Sequence, residues 1–267
     1  MEERQQRRLL VTLLLGTLMA ALDLAIIGPA LPAIQADFGI DSRALAWIFN
    51  IYILLQLVGT PLMAKLSDRY GRRPVYVLNL ALFGVGSVIV VVAPDFTTLL
   101  VGRAVQGFGA SGIFPVASAV IGDTFPAEKR GPTLGLLGAV FGIAFLLGPI
   151  LGGVLLRFSW HWLFLINVPI ILYLIAQALR LVPATRAPGT APFDLAGAVL
   201  LSVLLAALAV GLTNLDSGQL ATSLRAPGVG PFLGLALLLV PVLWWVERRA
   251  ADPVLSPALL RSRQMRV

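Results

Sequence analysis

Apolar runs of roughly 20 residues, each long enough as a helix to cross about 30 Å of hydrocarbon, recur eight times along the chain. No other feature restricts its fold as strongly. The runs lie near 9–31, 45–66, 74–93, 97–121, 132–156, 160–180, 194–214 and 229–246. Inside a lipid bilayer every backbone polar group must be satisfied within its own segment, so the sequence predicts an all-α polytopic membrane helix bundle. Composition agrees: 58 % of residues are hydrophobic, 12 % are charged and the mean hydropathy is +0.91, values that place most of the chain in lipid rather than water. The longest connection, about 181–193, contains P-A-T-R-A-P-G-T-A-P, the composition of a loop. It divides the chain into a six-helix bundle, 1–185, and two extra transmembrane helices with a basic tail, 186–267.

An even number of spans puts both ends on one side, and basic residues choose the side. Arg4, Arg7 and Arg8 of the N-terminal arm, Lys65, Arg69, Arg72 and Arg73, then Lys129 and Arg130, Arg180 and Arg186, and Arg248, Arg249, Arg261, Arg263 and Arg266 of the tail all fall on one face of the membrane. The other face holds only Arg43, Arg157 and Arg225. Both termini are therefore expected in the cytoplasm, in a multi-pass protein of the inner (cytoplasmic) membrane. The net charge of +7 follows from that asymmetry and gives no basic face for nucleic acid. Trp47, Trp160 and Trp162 fall at outer ends of spans and Trp244 and Trp245 at an inner end, where interfacial aromatics belong. The first run exceeds the 7–15 apolar residues of a secretory signal, so it reads as a retained span. The chain has no cysteine and one histidine, His161, and shows no nucleophile–base pair or metal-ligand cluster, so neither an enzyme nor a metal or cofactor site is expected.

Two charges fall well inside hydrocarbon. Asp23 is the one charged side chain between Leu9 and Ala36, and Arg103 lies within the fourth run. Facing lipid, each would cost at least about 2.5–3.5 kcal/mol, so each should face a cavity or the other. Entering at Leu9, the first helix carries Asp23 about 21 Å deep at 1.5 Å per residue. Desolvation there disfavours the charged form, and an acid that gains and loses a proton is what proton coupling requires. Gln106 and Gly107 follow Arg103 by three and four residues and share its helix face, which suits a water-lined pocket; the competing reading is a static pair that locks helices. Gly107-Phe-Gly109-Ala-Ser-Gly112 matches G-x-G-x-x-G but follows no strand and lies inside a span, so it reads as helix packing, not a dinucleotide fingerprint.

On these residues the chain resembles the major facilitator superfamily, specifically its fourteen-helix drug:proton antiporter branch. A-K-L-S-D-R-Y-G-R-R-P (64–74) is similar to the superfamily's loop motif, with Asp68, Arg69, Gly71, Arg72 and Arg73 in register and Ala64 standing for its leading glycine. L-L-V-G-R-A-V-Q-G-F-G-A (99–110) resembles the motif that contains a proton-linked arginine, here Arg103, followed by Gln106. G-L-L-G-A-V-F-G-I-A-F-L-L-G-P-I-L-G-G (135–153) resembles the antiporter motif at Gly135, Gly148, Pro149, Gly152 and Gly153, with Ala144 where glycine is usual. L-D-L-A-I-I-G-P-A-L-P-A-I (22–34) is similar to the branch's acidic first-helix motif at Asp23, Ala30, Leu31 and Pro32, with Ala25 and Gly28 in place of threonine and asparagine. W-H-W-L-F-L-I-N-V-P (160–169) adds a fifth match, with His161 where arginine is commoner. The seventh and eighth runs resemble the branch's extra helix pair.

The residues carry a physical reading beside the resemblance. Gly71 permits a tight turn in a loop whose basic side chains stay in water. The functional reading of that loop is a cytoplasmic latch in which Asp68 accepts from an arginine or a helix N-terminus, with Glu128 and Arg130 of the next cytoplasmic loop as candidate partners. In the fifth run, Gly138 with Gly142 and Gly148 with Gly152 are spaced by four for close backbone contact, and Pro149 can kink the helix. That helix would seal the contact between two halves, plain packing being the alternative. His161, alone at an outer helix start, reads as an interfacial side chain.

Proteins of this fold place two six-helix halves around a site near the midplane, each half built from inverted three-helix repeats. The sequence supplies one such half and two added helices; V-L-S-P-A-L-L-R-S-R-Q (254–264) resembles the approach to the second half's first helix. A lone half would turn its cavity wall to lipid, so the expected partners are a missing C-terminal six-helix half, or self-association, together with the bilayer. What the resemblance implies is half of a proton-coupled exporter of amphipathic, often cationic, small molecules, driven by the proton gradient without a cofactor. Asp23 would carry the proton or face the substrate cation, Arg103 would bias it and Gln106 would line the cavity. Two other readings are a non-transporting membrane fragment or accessory subunit, and a solute:proton symporter.

Overall fold

In the computed structural model, residues 3–185, 194–216 and 218–250 are described. Among them, eight helical segments are long and apolar enough to cross a membrane. They match the eight runs read from hydropathy; the first, second and fourth extend further at both ends. Helix α1 spans Glu3–Phe38; Arg4, Arg7 and Arg8 lie on its first turns rather than in a separate arm. Gly39, at φ 62°, ends it in a left-handed conformation that a side chain would disfavour. The second span is a short turn, α2 (Ser42–Leu45), capped by Asp41 through Ala44 N at 2.7 Å, running into α3 (Trp47–Tyr70). Gly71, at φ 103°, then reverses the chain into α4 (Arg72–Val91), the tight turn its sequence position predicts.

The fourth span is broken. Helix α5 (Phe96–Ala110) starts at an Asp95 cap on Thr98 N (2.8 Å), and α6 (Ile113–Thr124) begins after a two-residue interruption at Ser111 and Gly112. Pro115 explains it: without an N–H it cannot bond the Ser111 carbonyl four residues back. The Thr60 hydroxyl takes up that oxygen at 3.3 Å, and the Asn79 side chain accepts from Gly112 N at 3.0 Å. Hydropathy read a continuous run here because the break exposes no charge.

Helix α7 spans Ala127–Leu155, a short turn α8 (Trp162–Leu165) leads into α9 (Asn167–Leu181), and α10 (Leu195–Thr213), a turn α11 (Leu220–Ser223) and α12 (Gly230–Glu247) complete the described order. Helix α1 packs along α7 and α9, and α4 packs between α5 and α9. The small-residue contacts are close: a Cβ on Gly86 would lie 2.5 Å from Gln106 N, one on Gly107 2.2 Å from Tyr52 O, and one on Gly109 2.4 Å from Phe83 N. The G-x-G-x-x-G match is thus helix packing. The extra pair docks through α10, which lies along α3 with the Ser202 hydroxyl donating to Val58 O at 2.7 Å.

Helix α7 divides its small residues between two faces. Ala144 is fully buried, a Cβ on Gly148 would meet Ala25 Cβ at 2.5 Å, and one on Gly152 would meet Ile26 O at 3.0 Å. That stripe packs α7 against α1 within the same bundle. Gly135, Gly138, Gly142 and Gly153 would meet nothing within 4 Å, and Phe145, Leu146 and Ile150 stand exposed beside them.

The aromatic ends are mixed. Trp47 and Trp162 are exposed, and Arg248 and Arg249 lie over the rings of Trp244 and Trp245 at 4.6 and 3.9 Å. Trp160 departs from the interfacial expectation: it is buried, stacks on His161 at 3.7 Å and donates its indole N–H to Asp37 at 2.9 Å. The partner at Asp37 makes burial of the polar tip affordable.

Candidate functional site

Asp23 and Arg103, 80 positions apart, form one ion pair at the centre of the bundle. Arg103 Nη1 lies 2.6 Å from Asp23 Oδ2, and the two residues are 0 % and 1 % exposed. A pair this deep survives only if its remaining lone pairs and protons find partners. Asn167 Nδ2 donates to Asp23 Oδ1 at 2.8 Å, and Gln106 Nε2 reaches the same oxygen at 3.3 Å. Arg103 Nε donates to Ile48 O at 3.2 Å, and Nη1 also donates to Gln106 Oε1 at 2.8 Å. Gln106 closes the network by donating to the Ser87 hydroxyl at 2.8 Å. Arg103 Nη2 makes no hydrogen bond. Aromatic faces flank the cation: its Cζ lies 4.2 Å from the Tyr52 ring centroid and 5.7 Å from that of Phe164, geometry that offsets part of the cost of burial.

The cluster joins α1, α3, α4, α5, α8 and α9 and brings together three residues singled out in the sequence: Asp23, Arg103 and Gln106. Gln106, expected at a cavity wall, is fully buried in this structure, its amide donating to Ser87 and Asp23 and accepting from Arg103. Ser87 and Asn167 were missed. Both are uncharged residues inside apolar runs. Asn167 sits in the quoted W-H-W-L-F-L-I-N-V-P stretch, where an amide among apolar neighbours was the available signal.

A second polar cluster occupies the end of the bundle that carries the basic loops. Arg72 pairs with Asp68 and, through Nε at 3.0 Å, with Asp123 Oδ2; its Nη1 also donates to Ser67 Oγ at 2.8 Å. Arg72 N donates to Thr185 O at 3.0 Å, and Arg73 Nε donates to Val182 O. Arg69 lies over the Tyr70 ring at 5.8 Å. The candidate partners of Asp68 differ from the expectation. Arg130 instead donates to Phe125 O at 2.8 Å, and Glu128 is exposed in the first turn of α7. Arg72 is the partner of Asp68, and it is shared with Asp123 on the last turn of α6, whereas Glu128 has already passed into the next helix. Arg186 and the basic tail, with Arg261, Arg263 and Arg266, lie outside the described residues, as does the 254–264 stretch. No group of three metal-ligating side chains occurs among the described residues.

Comparison with known proteins gives the same frame. The chain is 39 % identical to the uncharacterized MFS-type transporter YfiU of Bacillus subtilis (strain 168), covering 98 % of this chain and 52 % of that protein. It is 35 % identical to multidrug resistance protein 3 of the same organism, over 94 % of this chain and 48 % of that one. The chain therefore spans about half the length of these curated relatives. Among solved structures, the human organic anion transporter MFSD10 (TETRAN) superposes with a TM-score of 0.62 at 21 % identity, over 82 % of this chain and 59 % of that one; at that identity the likeness shows the fold. The family model of the Major Facilitator Superfamily matches residues 13–246. An all-α, multi-pass bundle of eight long apolar helices with that match is a transporter fold and not an enzyme: the chain belongs to the major facilitator superfamily.

Proposed function

We propose that this chain is the N-terminal half of a proton-coupled exporter of small amphipathic molecules, often cationic, belonging to the drug:proton antiporter branch and working with a second six-helix half. The observation that carries the reading is the Asp23–Arg103 pair, buried at the centre of the bundle. Protonating Asp23 would leave Arg103 as an uncompensated buried cation, a state worth several kcal/mol of penalty. Taking up a proton therefore favours any conformation in which Arg103 finds water or another partner. A proton that shifts a conformational balance in this way drives alternating access.

The remaining features take consistent places. With the basic loops on the cytoplasmic side, Arg72, Asp68 and Asp123 form a cytoplasmic latch joining α3, α4 and α6, and both termini are cytoplasmic. The open glycine face of α7 is the surface against which the second half closes. The multidrug resistance protein similar to this chain supports the efflux direction.

The test is dye export from proteoliposomes containing the chain and a matching second half, with an imposed proton gradient and ethidium as the probe. Export driven by the gradient and abolished by Asp23→Asn is expected. Gradient-driven export that persists in Asp23→Asn would sink the mechanism, and gradient-driven uptake would make the protein a symporter.

A further inference from the structure

A second feature of the bundle shares Tyr52 with the ion pair. Helices α1, α3, α5, α6 and α7 line a cleft of about 80 Å³ whose wall includes Thr17, Tyr52, Gln56, Phe114, Phe141 and Phe145. Three observations mark it as a place for a ligand. Thr17 is 1 % exposed, and its hydroxyl has no hydrogen-bond partner; the buried Tyr76 hydroxyl of α4 is likewise unpartnered but does not line this cleft, whereas Thr12 donates to Arg8 O and Ser87 to Phe83 O. A buried hydroxyl left without a partner costs roughly 1–3 kcal/mol, a cost that a bound acceptor or donor removes. Phe114 and Phe141 meet edge-on at 5.5 Å, and with the exposed ring of Phe145 they give the cleft aromatic edges and faces. The wall contains no charged side chain: the nearest acid in sequence, Asp23, is turned into its pair with Arg103.

From this arrangement we infer a binding subsite for an uncharged aromatic group bearing one hydrogen-bonding atom, held by the Thr17 hydroxyl and the Phe114, Phe141 and Phe145 rings, with Gln56 at its polar margin. Resting on the transporter reading above, this identifies what the N-terminal half recognises: the aromatic, neutral portion of a substrate rather than its positive charge. The cleft is smaller than the 300–1,000 Å³ usual for drug-sized ligands, so it takes one ring system, and the rest of a substrate extends beyond it. Tyr52 both lines the cleft and carries the Arg103 guanidinium over its ring. Occupancy therefore bears on the ion pair without a ligand touching Asp23.

Benzophenone is a suitable probe, being neutral and aromatic, with one carbonyl acceptor and its own photochemistry. The chain in detergent or liposomes would be irradiated with benzophenone and the labelled peptides mapped by mass spectrometry. Labelling concentrated on the α6 and α7 peptides containing Phe114, Phe141 and Phe145 is expected, with fluorenone competing. Thr17→Val should weaken labelling about fivefold, the worth of one hydrogen bond, and Thr17→Ser should retain it. Thr17→Val removes a hydroxyl that bonds nothing, so the fold is preserved. Labelling confined to the lipid-facing groove between α4 and α9, equal labelling of Thr17→Val and the parent chain, or competition by tetraphenylphosphonium but not by fluorenone would each overturn the subsite. The assay needs no proton gradient. Lost labelling with intact export would reject the subsite alone, and intact labelling without gradient-driven export would reject the exporter alone.

Discussion

The Tyr52 ring lies beneath the guanidinium of Arg103, with Cζ 4.2 Å from the ring centroid, while both side chains are almost wholly withdrawn from solvent. Tyr52 reaches this position because Gly107, one turn beyond Arg103, lets α5 approach the backbone of α3: a Cβ there would strike Tyr52 O at 2.2 Å. The glycine and the arginine thus act together, one bringing the helix close and the other using the proximity.

If the ring face supports the cation, Tyr52→Phe should keep gradient-driven export near the parent level and Tyr52→Leu should lower it several-fold. A cation over a desolvated aromatic ring is worth up to about 2 kcal/mol. Proteoliposome flux measured for both variants checks the point; equal loss in both would assign the effect to the hydroxyl instead.

Asn167 supplies the 2.8 Å bond to Asp23 Oδ1, where Gln106 reaches only 3.3 Å. Asn167→Ala should destabilise the detergent-solubilised chain by about 0.6–1.7 kcal/mol, the range of side-chain hydrogen bonds between membrane helices. Asn167→Asp should cost more, because it places a second carboxylate against the first. Thermal unfolding of the two variants orders them.

At the latch, the geometry singles out Asp123 over Glu128. Asp123 is partly exposed, so Asp123→Asn should cost about 1 kcal/mol or less in stability, yet it should shift the balance of conformations and alter export. Glu128→Gln should leave flux unchanged. The comparison is a paired flux assay at low and high salt, in which the Asp123 effect shrinks as salt rises.

The two glycine faces of α7 should respond differently to the same change. Gly148→Ala forces a Cβ against Ala25 and should destabilise the chain itself by about 1–3 kcal/mol, as overpacking does. Gly138→Ala meets nothing within 4 Å and should leave the chain's own melting unchanged. A bulkier Gly138→Leu should weaken association with a second half, measured by co-purification.

Much of this architecture was legible in the sequence, for a physical reason. Lipid demands long apolar helices, so the spans announce themselves, and a charge inside such a span, like Asp23 or Arg103, stands out because burying it is costly. Ser87 and Asn167 cost far less to bury and raise no such signal; only the assembled packing of α4 and α9 against α5 and α1 reveals their role. Asp123 and Glu128 lie five residues apart near the same loop, and nothing in the sequence marks Asp123 as the one that meets Arg72. That choice depends on where α6 ends, which in turn depends on the interruption before Pro115.

That interruption makes the fourth span two rods with a joint between them. The first rod bears Arg103, and the second ends at Asp123. Thr60 and Asn79 act as pins across the joint. The segment that bears Arg103 and the segment that bears Asp123 are therefore not one continuous hydrogen-bonded helix. The stiffness of that joint is thus set by Thr60 of α3 and Asn79 of α4, side chains outside the span they hold together.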